Sequence, residues 1–325
     1  MAPDPVVTPR AGRRLDPSLL PMRLWEKAKI HGAWNPADID YATDRRHWLA
    51  LPDRLCESLR QLCAIFRAGE EAVTLRLPPL LHVVASEGRF EETLYLTSFL
   101  WEEAKHVDLF NRFFADVCHE TDLARYDHPS YRRIFDVELR ESMERLLTDR
   151  SPEAQVSAAA TYHLVVEGVM ADTGYYLFRR ILRDADTLPG MRHAIGLLHR
   201  DESRHIAFGV YFLSRLIVEH GDRAYKALLD RMKVLKPLTE DATREFVRSL
   251  EHADTGIGLA ELIQFSQQRF ATRIQRIVRA RTQRLEDLHA VSAADPEGDG
   301  DADSDADVMD AGERGRRRAS RFSEV

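Results

Sequence analysis

The chain has few of the residues that staple small extracellular domains: Cys56, Cys63 and Cys118 are its only cysteines in 325 residues. Their odd number and the lack of any CxxC spacing exclude a disulfide framework and fit a reducing, cytoplasmic location, with the thiols in the core. No apolar run approaches the roughly eighteen residues of a membrane span. The opening MAPDPVVTPRAGRR carries proline and arginine with no apolar signal core behind it. Excess positive charge is also missing. A net charge of −7 and a pI near 6.0 give no reason to expect a nucleic-acid partner. Period-two alternation is nowhere convincing, which removes sheets and leaves an all-α fold.

What is present is helical periodicity. Prolines at 3, 5, 9, 17, 21 and 36 predict an irregular N-terminal arm over residues 1–50, packed on the body through Trp25, Trp34 and Trp48. From Pro52 a helical stripe runs through Leu59, Leu62, Phe66, Glu70 and Val73 until Pro78 and Pro79 break it. A second long helix follows Gly88 and ends near His119, and a connecting helix follows Pro129. Ser151-Pro152-Glu153 starts a third long helix that closes near Asp184. A fourth runs from Pro189 to Gly221, a shorter one from Asp222 to Leu235, and one or two amphipathic helices reach about Val291. The helical domain is thus expected over residues 51–291. Beyond it, residues 292–325 are acidic, then basic, and nearly free of large apolar side chains, which predicts disorder. The Asp run there is a poor calcium loop, with Ser304 where glycine is needed and Asp310 where glutamate is needed.

The chemistry lies in acids placed where acids do not belong. Glu167 stands among Val165, Val166, Val169 and Met170, and an unpaired anion in that setting either protonates or needs a cation beside it. Further on, Glu202 and His205 are three residues apart and so share a helix face. Glu70 stands in the same relation to Glu103 and His106, so the sequence states one half-site twice. Two Glu-bearing helices and two Glu-x-x-His helices form the ligand set of a dinuclear carboxylate site in a four-helix bundle. The Glu-x-x-His pattern alone is weak, since about one occurrence is expected by chance. The third copy, Glu286 to His289 with Glu251 ahead of it, lies in polar surroundings and reads as a solvated helix end. The other six residues sit beside Phe66, Val73, Phe99, Val107, Ile206 and Phe208, where four ionised Glu would be neutralised by two divalent cations.

These residues, within GEEAVT, EEAKH, VVEGVM and DESRH, resemble the ferritin-like superfamily of ribonucleotide reductase small subunits. They more closely resemble its ribonucleotide-reductase-small-subunit-like ligand-binding oxidases, over roughly Pro52 to Leu235. The resemblance implies a ferritin-like bundle with additional helices and a mixed centre. Manganese would be held by Glu70, Glu103 and His106, and iron by Glu167, Glu202 and His205, with Glu103 bridging. It further implies a homodimer, a long-chain fatty acid whose carboxylate reaches the metals, and an O2-dependent two-electron oxidation that joins Val73 to Tyr162 by an ether bond. Val73 is one turn from Glu70, whereas Tyr162 is five residues before Glu167, about 140° round an α-helix and off its stripe. His163 aligns better with Glu167 and on residue spacing is a candidate seventh ligand; the resemblance makes it a core or supporting histidine. Asp201 is positioned to accept from the imidazole of His205.

Three alternatives stay open, one of them a non-catalytic iron or manganese store that would take up many metals per chain, although 325 residues is long for a ferritin. A reductase small subunit of the Mn/Fe type would also use these ligands, although the usual radical tyrosine position is Phe110 and RFSEV does not resemble a docking tail. A fatty-acyl desaturase or hydroxylase would need an electron donor.

Overall fold

A computed structural model of the protein describes residues 14–126, 128–249 and 258–289. Among the described residues all regular structure is helical. The predicted disordered segment 292–325 and Glu251 lie outside the described residues.

The arm expected to be irregular carries two helices, α1 (Leu20–His31) and α2 (Ala42–Ala50). Its prolines punctuate rather than forbid. Pro21 occupies the first turn of α1, where a missing N–H costs nothing, and Pro36 opens a short turn capped by the Asn35 side chain. Leu20, Met22, Leu24 and Ala28 put one face of α1 into the core.

Helix α3 (Asp53–Arg76) buries Leu59, Leu62, Cys63, Phe66, Glu70 and Val73 along one stripe. Pro78 and Pro79 end it by starting α4 (Pro78–Ser86), and α5 (Phe90–Phe113) follows, extended by a π-helical turn to Cys118. A connection holds α6 (Pro129–Arg132), a π-helical stretch (Arg133–Leu139) and α7 (Arg140–Arg145). The next rod is continuous: α8 (Pro152–Ala159), capped by Ser151, passes into a twelve-residue π-helix (Ala160–Ala171) and then α9 (Asp172–Asp184).

Helix α10 (Pro189–Ser249) begins on a cap brought from α2, where both oxygens of Asp44 accept from the backbone N–H of Gly190 and Met191. It breaks at Gly221, whose φ of 58° is one that glycine adopts freely. The expected end at Leu235 is not observed, and the helix continues past Pro237. Leu235, Thr239, Ala242 and Phe246 stay buried at helical spacing, so packing carries the helix over the one hydrogen bond that Pro237 removes. Two further helices, α11 (Leu259–Arg279) and α12 (Leu285–His289), follow it.

Two apolar clusters share the bundle's length. One contains Val73, Phe99, Val166 and Phe208, the other Phe66, Phe110, Tyr175 and Leu198. Each motif acid sits between a residue of one cluster and a residue of the other, so the acids form a layer across the middle. The order also gives direction: α3 and α10 run from the second cluster to the first, while α5 and the α8–α9 rod run the opposite way. Since α5 and that rod are parallel, the backbone must return along the bundle between them, and the connection through α6 and α7 is that crossover.

Candidate metal centre

Glu70 of α3, Glu103 and His106 of α5, Glu167 of the π-helix, and Glu202 and His205 of α10 are all buried and converge. Two groups can each place one ligand atom per residue within 4.8 Å of the others: Glu70, Glu103, His106 and Glu202, and Glu103, Glu167, Glu202 and His205. Glu103 and Glu202 belong to both, so Glu202 spans the two half-sites as well as Glu103. Its Oε1 is 3.3 Å from Nδ1 of His106 and 3.6 Å from Nδ1 of His205.

The charges in the layer act strongly on one another. Burial, with the charges of Glu202 and Glu70 beside it, drives the Glu103 carboxyl well above its ordinary range. Burial opposes charge on both imidazoles, but the surrounding carboxylates outweigh it and raise His106 and His205 well above the usual histidine range. Burial likewise works against Glu202, yet His205 and His106 hold it at about 2. Three buried atoms in the layer, Oε1 of Glu167, Oε2 of Glu202 and Nδ1 of His205, have no hydrogen-bond partner among the described residues. Unpartnered carboxylate oxygens beside a ring nitrogen are costly in an apolar core and natural as metal ligands. The donor set, four carboxylates and two imidazoles, suits iron and manganese alike.

Support for the ligands crosses between the half-sites. Nε2 of His205 pairs at 2.8 Å with Glu102, which immediately precedes Glu103. Nε2 of His106 lies 3.3 Å from Asp201, which precedes Glu202. The expected pairing of Asp201 with His205 is therefore not found: within one helix the two side chains diverge, and the acceptor comes from the facing helix. Arg204 donates to both acids, to Glu102 Oε1 at 2.5 Å and Asp201 Oδ1 at 2.6 Å. Asp201 also receives Nε1 of Trp34 at 2.8 Å and Nζ of Lys105 at 2.7 Å. Phe99 stacks on His205 with ring centroids 3.6 Å apart.

Tyr162 donates its hydroxyl to Glu103 Oε1 at 3.0 Å and Tyr175 donates to Glu70 Oε1 at 2.7 Å. The i→i+5 hydrogen bonds of the π-helix widen its turn, so Tyr162 lies closer to the Glu167 stripe than the 140° of an α-helix. Burial, then the neighbouring acids, pushes the Tyr162 phenol far above its ordinary range and keeps it an O–H donor. His163 points Nδ1 at Glu167 Oε2, 3.1 Å away. Among the described residues the third motif joins no ligand cluster: Glu286 is exposed and pairs with Arg284, while half-buried His289 accepts from the Leu20 N–H at the start of α1.

Sequence reasoning missed Glu102, Arg204, Trp34 and Tyr175. The signal for Glu102 was there, since both motifs place an acid immediately before the motif Glu, in EEAKH and in DESRH. A pocket that opens to solvent reaches the layer. Glu70, Glu103, Glu167 and Glu202 are part of its lining, and most of the other lining side chains are apolar, among them Leu62, Ile65, Phe66, Val73 and Met170.

A bundle with one crossover and a central layer of four carboxylates and two imidazoles defines a ferritin-like dinuclear carboxylate protein. Residues 22–268 match the family described as ribonucleotide reductase, small chain. An R2-like ligand-binding oxidase with a valine-to-isoleucine substitution and an anaerobically reconstituted Mn/Fe cofactor is 37% identical, covers 81% of this chain and 94% of its own, and superposes with a TM-score of 0.75. The R2-like ligand-binding oxidase from Sulfolobus acidocaldarius is 34% identical over 84% of this chain and 95% of its own, with a TM-score of 0.76. The protein belongs to the ribonucleotide reductase small-chain family and, within it, to the R2-like ligand-binding oxidases. Among the described residues no helix is long and apolar enough to cross a membrane.

Proposed function

We propose that the protein is an O2-dependent oxidase. In this reading Glu70, Glu103 and His106 hold manganese, Glu167, Glu202 and His205 hold iron, and the cavity takes a long-chain fatty acid. The observation that carries the proposal is the cavity's two-part lining, acidic at the metal layer and apolar beyond it. A carboxylate head would meet cations at the layer, and a hydrocarbon tail would lie along Leu62, Ile65, Phe66 and Met170.

When bound, the Mn/Fe pair would supply the reduction of O2 that provides the oxidising power. The protein's own residues supply the rest. Val73 lines the cavity one turn from Glu70 and presents a C–H bond of its isopropyl group to the layer. The hydrogen bond to Glu103 Oε1 orients the Tyr162 phenol and gives its proton an acceptor. Forming the ether breaks one C–H bond of Val73 and the O–H bond of Tyr162 and makes one C–O bond. The two protons and two electrons released go to O2. Phe99, Phe208 and the apolar walls exclude water that would intercept the oxidant.

The test is intact mass and peptide mapping after anaerobic loading with Mn(II) and Fe(II), before and after air, with lipid extraction of the purified protein. A loss of two hydrogens mapped to peptides holding Val73 and Tyr162, with a co-extracted fatty acid, supports the oxidase. An unlinked, metal-loaded protein that drives nucleotide reduction with a large subunit would replace it with the reductase reading.

A further inference from the structure

His163 is buried and has one polar neighbour among the described residues. Its Nδ1 is 3.1 Å from Glu167 Oε2, and its Nε2 has no hydrogen-bond partner there. The ring is walled by Tyr162, Phe99 and Phe208, with centroids 4.6, 5.6 and 5.8 Å away. Space for it comes from α10. A Cβ added at Gly209 would lie 2.2 Å from the Cβ of His163 and 2.7 Å from its Cγ, so only glycine admits the imidazole there. Only one tautomer suits these surroundings. Hydrogen on Nδ1 gives the carboxylate a donor and leaves Nε2 a bare lone pair, whereas the other tautomer buries an unpaired N–H and sets two lone pairs against each other.

The consequence falls on Glu167. With Oε2 engaged by His163, Oε1 is the free oxygen; it has no partner among the described residues and faces Nδ1 of His205 at 4.0 Å. Glu70 is held in the same manner, one oxygen taken by the Tyr175 hydroxyl.

The geometry points to His163 as a positioning residue of the second half-site. Its Nδ1–H fixes Glu167 so that a cation is offered Oε1 alone, leaving the remaining coordination on that side for ligand and O2. This rests on the reading of the layer as a metal centre and goes beyond it by naming what sets the denticity of one ligand.

The test loads wild type, His163→Phe, His163→Asn and His163→Gln anaerobically with Mn(II) and Fe(II). Site-resolved occupancy is read by anomalous diffraction and total metal by mass spectrometry during chelator competition. Asn can place an N–H where Nδ1 stood, whereas Gln reaches past it. The expected result is a loss of affinity at the His205 half-site of about 10–100-fold in His163→Phe and His163→Gln. The His106 half-site stays within about threefold, and His163→Asn recovers most of the loss. Wild-type affinity in His163→Phe, an equal loss at both half-sites, or equal behaviour of the Asn and Gln variants overturns the inference. If His163→Phe does not fold, the Asn and Gln pair decides alone. A wild-type protein that takes up no metal overturns the metal-centre reading itself, a result distinct from any difference among the variants.

Discussion

At the scale of single residues, the imidazole of each half-site is oriented by an acid from the other half-site's helix. Among the described residues Glu102 is the only hydrogen-bond partner of Nε2 of His205, and supports of this kind are typically worth 10–100-fold in metal affinity. Glu102→Gln is therefore expected to weaken binding at the His205 half-site by about that factor while leaving the His106 half-site within about threefold. Chelator competition with site-resolved anomalous scattering measures both, and an equal loss at the two would show that Glu102 serves the fold instead. Arg204 differs because it clamps Glu102 and Asp201 together. Arg204→Met removes the donor to Glu102 Oε1 and Asp201 Oδ1 while Lys105, Trp34 and His205 keep the other oxygens paired, so a cost of about 1–3 kcal/mol is expected in chemical denaturation. A cost below about 1 kcal/mol would count against the clamp. The six motif residues that meet in the buried layer were legible in the sequence because buried charge leaves a mark in composition. Their supports were not, because Asp201 reads identically whether it serves His205 on its own helix or His106 across the bundle. Only the facing helix decides that.

At the scale of elements, the π-helix at Ala160–Ala171 makes the difference between a tyrosine near the layer and one on it. An α-helical reading of TYHLVVEG puts Tyr162 off the stripe, and nothing in the residue types announces a wider turn. The structure shows what holds this element. Asp172, at its C-terminal end, receives Arg273 of α11 at 2.8 Å and lies 3.5 Å from Arg269, and both are remote from the motif ligands in sequence. Burial raises the Asp172 carboxyl, but His199, Arg273 and Arg269 outweigh it and hold it below the usual carboxylate range. An acid depressed in the folded state stabilises above its unfolded pKa, near 3.9, and loses that contribution as pH falls through the folded value. Asp172→Asn should thus cost about 3–5 kcal/mol at neutral pH. The gap from wild type should close progressively below about pH 4. A gap that stays constant from pH 7 to pH 3 in matched denaturant titrations would refute the assignment. Gly209→Ala probes the same element from α10. With the rigid Cβ and Cγ of His163 in the way, overpacking of about 1–3 kcal/mol is expected, read as a lower Tm. The helix order was legible from proline, glycine and apolar spacing, yet α10 runs past Pro237 because burial on its far side outweighs a local helix breaker.

At the scale of the whole molecule, the bundle is two apolar clusters separated by a layer that repels itself. Without cations, burial and the other acids push the Glu103 carboxyl up, and the surrounding carboxylates push His106 and His205 up, so the layer favours protons. Divalent ions held there would replace those protons with charges that bind all four helices at once, and metal affinity would become folding stability by mass action. At a free metal concentration a hundred times Kd, each site adds about 2.7 kcal/mol. Two such sites together should raise Tm by on the order of 10 °C in a domain of this size. Chelated and reloaded protein compared by calorimetry should show that difference. Hydrogen exchange should place the loss in the middle of α3, α5, the π-helix and α10, with the flanking Phe99–Phe208 and Phe66–Phe110 regions less affected. A melting temperature indifferent to chelation, or a loosening confined to α11 and α12, would mean that the acid layer stands without cations and that its carboxylates share protons as their resting state.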